Sequence, residues 1–340
     1  MNNEQNQQNK QLVWEFWQSL EAAGSEKIDA VVCDYMSQDC AWHGPDPINH
    51  LRGIDAFVSD FWLPLLHSFP DLTRQTHIFI GGKSNGRIDG LRDGHMWVSG
   101  TGYFNATFAN NYLTIPASNK AVNIRWAEFC RMEQGKIVET YFLLDLIDLI
   151  QQAGFHVLPT SRGVDGMYPP PRANDGILLE AQDEQASAHT LEHIRRFIFD
   201  ALNSYDQSEL HSMGIAEYFH PEVHWYGPGG IGACLSLQEF EDKHQKHWLH
   251  AYPDRQVQDL DALIAAGSYC GGPGWAGVKA THTGDYLDAR ATMKPIVFNG
   301  IDFWKLENDR YIENWVFVDM VHLFRQFGVD LFERLRRQIR

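Results

Sequence analysis

The sequence predicts an α+β fold built twice, as two tandem copies of a curved antiparallel sheet with helices packed on its concave side. Three observations predict it. Trp42-His43-Gly44-Pro45 returns as Trp225-Tyr226-Gly227-Pro228, and Phe69-Pro70-Asp71 returns as Tyr252-Pro253-Asp254, both at a spacing of 183 residues (44 to 227, 70 to 253). Glu128-Phe129 answers Asp302-Phe303, Glu139 answers Glu313, Asp145 answers Asp319 and Gly154 answers Gly328, all at a spacing of 174 (128 to 302). The second copy is therefore nine residues shorter in its middle (183 − 174). Within each copy, helical periodicity comes first and strand-like segments follow.

In copy one, Leu12, Val13, Phe16, Trp17 and Leu20 form a helical stripe, and a second helix is predicted from Ile28 to Met36. Phe57, Phe61, Leu65 and Phe69 recur every four residues in a third helix that stops at Pro70. Strands follow over Leu72–Ile80, Met96–Phe108, Val122–Met132 and Lys136–Asp145, rich in β-branched and aromatic residues and separated by Gly or Asn turns. A short helix, Leu146 to Ala153, closes the copy, with Asp145 as its N-cap. Copy two repeats the order: helices over His189–Leu202 and Ser236–Ala251, then strands over Arg255–Ile264, Ala276–Leu287, Ile296–Leu306 and Tyr311–Asp319. Asp319 caps a last helix, Val321 to Phe327. The expected organisation is a domain over 10–155, a Pro-containing linker over 156–186, a domain over 187–330 and a basic tail over 331–340.

Forty-four acidic against 28 basic residues give a net charge of −16, which argues against nucleic acid and against an anionic membrane surface. Arg334, Arg336, Arg337 and Arg340 read as a solvated helix end. The five cysteines form no C-x-x-C and none recurs between the copies, so they are expected as reduced thiols of a cytoplasmic protein. No secretory signal and no membrane span are visible.

The Gly-Pro turn, the Phe-Pro-Asp helix end and the hairpin from Glu128 to Glu139 resemble the SnoaL-like family, polyketide-cyclase-type members of the nuclear-transport-factor-2-like superfamily. In copy two, Gly300-Ile301-Asp302-Phe303-Trp304-Lys305 and Thr281-His282-Thr283-Gly284 carry the same resemblance. It implies an α+β cone or barrel around a deep pocket, no metal or cofactor, and an aspartate as acid/base in an intramolecular aldol ring closure. Asp302 is the position that resembles this aspartate, and Glu128 stands in its place in copy one. His282 is a second candidate, which copy one replaces, on this reading, by Gly100. The resemblance also implies sheets that pair across their convex faces, so the two copies are expected as an intramolecular pseudo-dimer, with further homo-oligomerisation left open.

The hairpins can be read from the residues as well. A two-residue Gln134-Gly135 turn pairs Glu133 with Lys136, and counting back sets Glu128 opposite Tyr141. An Asn308-Asp309 turn sets Asp302 opposite Trp315 in the same way. Each acid would then share a face with an aromatic ring and with Glu139 and Leu143, or Glu313 and Phe317. On a concave apolar face, desolvation would raise such a carboxyl group toward neutrality and suit it to proton transfer at carbon. The competing reading makes both acids surface residues paired with Arg125 or Lys305.

Trp315, Tyr141, Trp304, His244, Tyr226 and His43 are the expected ligand contacts. Turn-bracing competes for His43 and Tyr226, and a structural role for His282. His244, His247 and His250 have helical spacing, but copy one has Phe61, Pro64 and His67 there, so no metal site is expected. Gly81-Gly82-Lys83-Ser84 reads as a hairpin loop, since it lacks a full phosphate-loop frame, and Gly271-Gly272-Pro273-Gly274 as a turn at the pocket rim. The function expected is a cofactor-independent acid/base enzyme acting on a hydrophobic, carbonyl-bearing small molecule, by cyclisation or isomerisation. A non-catalytic binding or scaffold protein is the alternative, with an epoxide-type hydrolase or dehydratase behind it.

Overall fold

The computed structural model describes residues 2–339. The chain forms two compact units. The first runs to residue 84 and adds 94–155 and 169–181; the second takes 85–93, 156–168 and the chain from 182 onward.

The first unit opens with the helix Asn2–Tyr35, broken at Gly24, where φ of 59° interrupts the helical backbone. Six strands follow: β1 (Met36–His43), β2 (His50–Arg52), β3 (Thr73–Lys83), β4 (Met96–Thr107), β5 (Ala121–Glu133) and β6 (Lys136–Leu144). They form one sheet in the order β2-β1-β6-β5-β4-β3, antiparallel except where β1 lies parallel to β6. The second unit holds β7 (Phe219–Tyr226), β8 (Ala233–Cys234), β9 (Gln256–Val257), β10 (Ile264–Ala266), β11 (Tyr269–Thr281), β12 (Pro295–Glu307) and β13 (Arg310–Val318). Its sheet runs β10-β11-β12-β13-β7-β8, with β9 also on β11 and β7 parallel to β13. Both units are α+β, as the order of periodicities predicts.

The repeated motifs have physical causes. A Cβ on Gly44 would stand 2.0 Å from the Trp42 ring, and one on Gly227 2.3 Å from the Trp225 ring, so only glycine lets each indole fold over its own turn. Asp71 accepts from the Thr107 amide at 2.6 Å and hydroxyl at 2.7 Å; Asp254 accepts from the Thr281 amide at 2.8 Å and hydroxyl at 2.6 Å. The Phe-Pro-Asp and Tyr-Pro-Asp ends thus clamp the end of a strand to the end of a helix. Asp145 and Asp319 cap the closing helices, accepting from the amides of Asp148 and His322. In both copies the central helix widens to π-type turns at the same place, Phe57–Trp62 and Phe240–Gln245.

Several elements depart from expectation. Strands β1 and β7 were not expected: of β1, only Met36 was read as helix and Trp42 and His43 as turn, and β7 was assigned no element beyond the matching turn at Trp225 and Tyr226. Their buried alternation is too short to register as a strand. Arg255–Ile264 is two short pieces, β9 and β10. Gly271–Gly274 is not a turn but the middle of β11, paired with β12. Gly81–Lys83 likewise ends β3 as strand.

The polar N-terminus is built in: Lys10 is 1% exposed and its Nζ donates to the carbonyls of Leu178 and Glu180, each at 2.8 Å. Burial lowers that amine to about 8. Residues 156–186, expected as an extended linker, are packed into the units. Gly176 and Leu178 bond to Phe79 of β3, and Gly163 and Val164 to Ile231 and Ala233. The greater length of copy one lies between β3 and β4, where copy two has only a Gly267-Ser268 turn. Residues 85–93 of that connection belong to the second unit. There Asn85 N donates to Leu263 O at 2.9 Å and Leu260 N donates to Gly86 O at 2.8 Å.

In the closing segment, Arg334 pairs with Asp288, and Arg336 and Arg337 with Glu333. Arg340 lies outside the described residues. All five cysteines are free thiols, and only Cys33 is exposed. No helix among the described residues is long and apolar enough to cross a membrane.

Candidate functional site

Both hairpins close on the expected two-residue turns, with positive φ at Gln134 and Gly135 (50° and 73°) and at Asn308 and Asp309 (50° and 58°). The strand register beyond them is not the one obtained by counting. Arg131 pairs with Glu139 but Met132 with Ile137, so Val138 is an extra residue in β6. Lys305 pairs with Glu313 but Leu306 with Tyr311, so Ile312 is the matching extra residue in β13. This bulge, repeated at a spacing of 174, slips the pairing by one and exchanges the faces. Glu128 therefore stands opposite Phe142, not Tyr141, and Asp302 opposite Val316, not Trp315.

Tyr141 and Trp315 lie on the other face of their sheets. The His43 ring stacks on Tyr141 at 4.4 Å, and its Nε2 lies 3.2 Å from Glu139. Tyr226 packs against Trp315 at 5.6 Å and against Tyr168 at 5.1 Å. Four expected ligand contacts, His43, Tyr141, Tyr226 and Trp315, thus form two equivalent clusters turned away from the acids. Glu139 also pairs with Arg131 at 2.8 Å.

In copy one the acid is spoken for. Arg74 Nη1 donates to Glu128 Oε2 at 2.9 Å, with both side chains buried. The guanidinium is stacked among Trp17, Trp126 and Phe104, at 4.4, 4.3 and 4.9 Å from their ring centres. The partner is neither Arg125, which lies 3.7 Å from Asp145, nor any surface residue.

The corresponding space in copy two is open. A cavity of about 220 Å³ is lined by Asp302, Trp304, Asn314 and His244, among apolar side chains. Strand pairing identifies what vacated it. Arg74 pairs with Phe104, and Val257 with Val278 in their places; Trp126 pairs with Leu144, and Gly300 with Val318 in theirs. Val257, Val278 and Gly300 all line the cavity. Losing one guanidinium, one phenyl and one indole from a packed interior leaves room beside the acid.

His244, at the position of Phe61, stacks on Trp225 at 4.2 Å, and burial lowers its imidazole to about 3, so it is neutral at pH 7. His282 is not among the cavity's lining residues. Because Thr281 matches Thr107, the residue His282 replaces is Phe108, not Gly100. Phe108 packs on Phe69 and His282 on Tyr252 and Phe327, the latter at 3.9 Å. Its Nδ1 lies 3.2 Å from Thr292 Oγ1, its Nε2 is buried without a hydrogen-bond partner, and burial lowers its pKa. Among the described residues no group of three or more His, Cys, Asp or Glu is placed to hold a metal ion.

Counting along strands overlooked two arginines. Arg74 becomes Val257 and Leu72 becomes Arg255 at the spacing of 183. That exchange was readable in the repeat, because two neighbouring inward positions swap charge for hydrocarbon. Arg255 lines the cavity and is 3% exposed.

A mixed sheet with helices, repeated in tandem and carrying an acid at the same place in each copy, defines a duplicated α+β domain. The SnoaL-like polyketide cyclase family matches residues 15–153 and 192–327, and the chain belongs to it. Among solved structures it is similar to AclR from Streptomyces galilaeus at 19% identity, over 42% of this chain and 82% of that one, with a TM-score of 0.35. IdmH from Streptomyces antibioticus is similar at 16% identity over 41% and 99%, with a TM-score of 0.33. TsrD from Streptomyces laurentii is similar at 18% identity over 43% and 97%, also at 0.33. Comparison with curated proteins gave no match.

Proposed function

We propose that copy two is an acid/base catalyst in which Asp302 moves a proton at carbon, without a cofactor, on a hydrophobic carbonyl-bearing small molecule. The reading rests on one observation: the carboxylate lines an apolar cavity at the position where copy one holds Glu128 against Arg74, and Val257 has replaced that arginine. Membership of the SnoaL-like polyketide cyclase family supports the same chemistry.

Asp302 takes a proton from the carbon next to a ligand carbonyl, and the C–H electron pair passes into an enolate. In a cyclisation, the enolate carbon bonds to a second carbonyl carbon of the same molecule, and the alkoxide formed recovers the proton from Asp302. In an isomerisation the proton returns to a different carbon. Trp304 and His244 would flank the ligand's rings, and the water-poor walls keep bulk solvent from quenching the enolate. Copy one, filled by its own side chains, would not catalyse the reaction.

The test uses 2-tetralone, whose protons beside the carbonyl exchange in D2O and are followed by NMR. Asp302→Asn is expected to slow protein-catalysed exchange by about 100-fold or more, while Glu128→Gln does not affect it. A folded Asp302→Asn protein that exchanges at the original rate defeats the proposal.

A further inference from the structure

Among the described residues, Arg255 is a buried cation with no counter-ion. Its Nη2 donates to the Leu202 carbonyl at 3.1 Å and lies against Met213 Sδ. Its guanidinium carbon is 4.8 Å from the Tyr205 ring and 5.0 Å from the Trp248 ring. Nη1 is buried without a hydrogen-bond partner, and no carboxylate pairs with this side chain among the described residues. Burial lowers it only to about 10, so it is charged at neutral pH. The buried guanidinium of copy one, Arg74, has a carboxylate at 2.9 Å; this one has rings, a thioether and a carbonyl. A charge taken out of water without an opposite charge is costly, and folding alone gives no reason to put arginine where copy one has Leu72.

The cavity supplies a reason. Arg255, Leu202, Met213 and Trp248 line the same space as Asp302. We infer that Arg255 anchors an anionic group of the ligand, so that copy two takes an aromatic or polycyclic organic acid bearing a carboxylate or comparably charged oxygen. This rests on the cavity being the ligand site, as proposed above. The two charged residues then divide the labour: Arg255 neutralises the ligand's anion and fixes its orientation, while Asp302, which repels that anion, meets the uncharged end carrying the acidic C–H. A guanidinium suits the task because it is planar, weakly hydrated and able to offer two parallel N–H donors to one carboxylate.

The experiment compares two fluorescent probes of the same shape: 8-anilinonaphthalene-1-sulfonate, an anion, and N-phenyl-1-naphthylamine, its neutral counterpart. The wild-type protein is expected to bind the anion roughly tenfold more tightly, the worth of one charge-assisted contact. Arg255→Met should abolish that preference by weakening the anion alone, and Arg255→Lys should keep part of it. Val278→Trp, which fills the cavity without touching either charge, should remove both probes. Equal affinity of the two probes for the wild type overturns the inference, as does a preference that survives Arg255→Met or binding that survives Val278→Trp. If Arg255→Met does not fold, the wild-type preference and the lysine variant decide alone. An Asp302→Asn protein that keeps the preference and still exchanges protons at the original rate would sink the acid/base reading and leave the anchor standing. Exchange without a preference would do the reverse.

Discussion

Arg74 and Glu128 form a buried ion pair at 2.9 Å in copy one, and the residue in the place of Arg74 in copy two is Val257. The exchange of guanidinium for isopropyl, with the loss of the rings at Phe104 and Trp126, separates an acid in a packed core from an acid lining a cavity. Charge pairing and volume change together, because the arginine both holds the carboxylate and fills the space among Trp17, Phe104 and Trp126.

Val257→Arg should therefore turn copy two into copy one. The new guanidinium is expected to pair with Asp302 and occupy the cavity, suppressing ligand binding and turnover by about 100-fold or more. The melting temperature should change little, because the pair's attraction offsets its desolvation to within a few kcal/mol. Calorimetry beside the probe titration separates this from unfolding. Full activity with the arginine in place would show that the cavity is not the site.

Removing one partner in copy one should be costly. Arg74→Met leaves Glu128 buried without its cation and is expected to destabilise by about 3–5 kcal/mol. Adding Glu128→Gln to it should recover much of that loss. Urea denaturation of the single and double variants measures the coupling, and additive effects would contradict the pairing.

His282→Phe should be tolerated. The aromatic cluster around His282 already accepts a phenyl ring in copy one, at Phe108, and the substitution removes a buried Nε2 that bonds to nothing. Stability is expected to hold or rise by about 1 kcal/mol, with exchange of 2-tetralone within about threefold of wild type, since a lone packing change typically costs under 1.5 kcal/mol. Loss of turnover in a stable His282→Phe protein would return this histidine to the proton pathway.

Acid should weaken the protein through its buried histidines. Burial lowers His244 to about 3 and His77 to about 4, both from the ordinary imidazole value of about 6.5. Between those values the unfolded chain binds protons that the folded chain does not, so stability falls as pH drops from about 6.5 toward 3 or 4. The loss ends once the folded imidazoles also protonate. His244→Phe, which restores the residue of copy one, should flatten this decline, as seen in melting temperature against pH. An unchanged slope would mean that His244 is not buried in its neutral form.

The duplication, the α+β order and the family could be read from the chain because they live in local signals: motif spacing, period and turn chemistry. The inward-facing acids were visible too, as the positions that stay acidic while their neighbours drift. What faces them was not. A single bulge residue, Val138 or Ile312, reverses the faces of everything beyond it, and nothing in Lys136–Leu144 or Arg310–Val318 announces it. Tyr141 and Trp315 were therefore placed beside acids that they do not meet.

By itself, then, the sequence determined two copies, their α+β class and the carboxylates at 128 and 302. Only the tertiary structure decided that Arg74 pairs with Glu128 in one interior and that Arg255 lines the cavity of the other. The physical reason is that residues 54 positions apart, such as Arg74 and Glu128, acquire their electrostatics from distance and burial. Neither quantity is written in the spacing of letters along a chain.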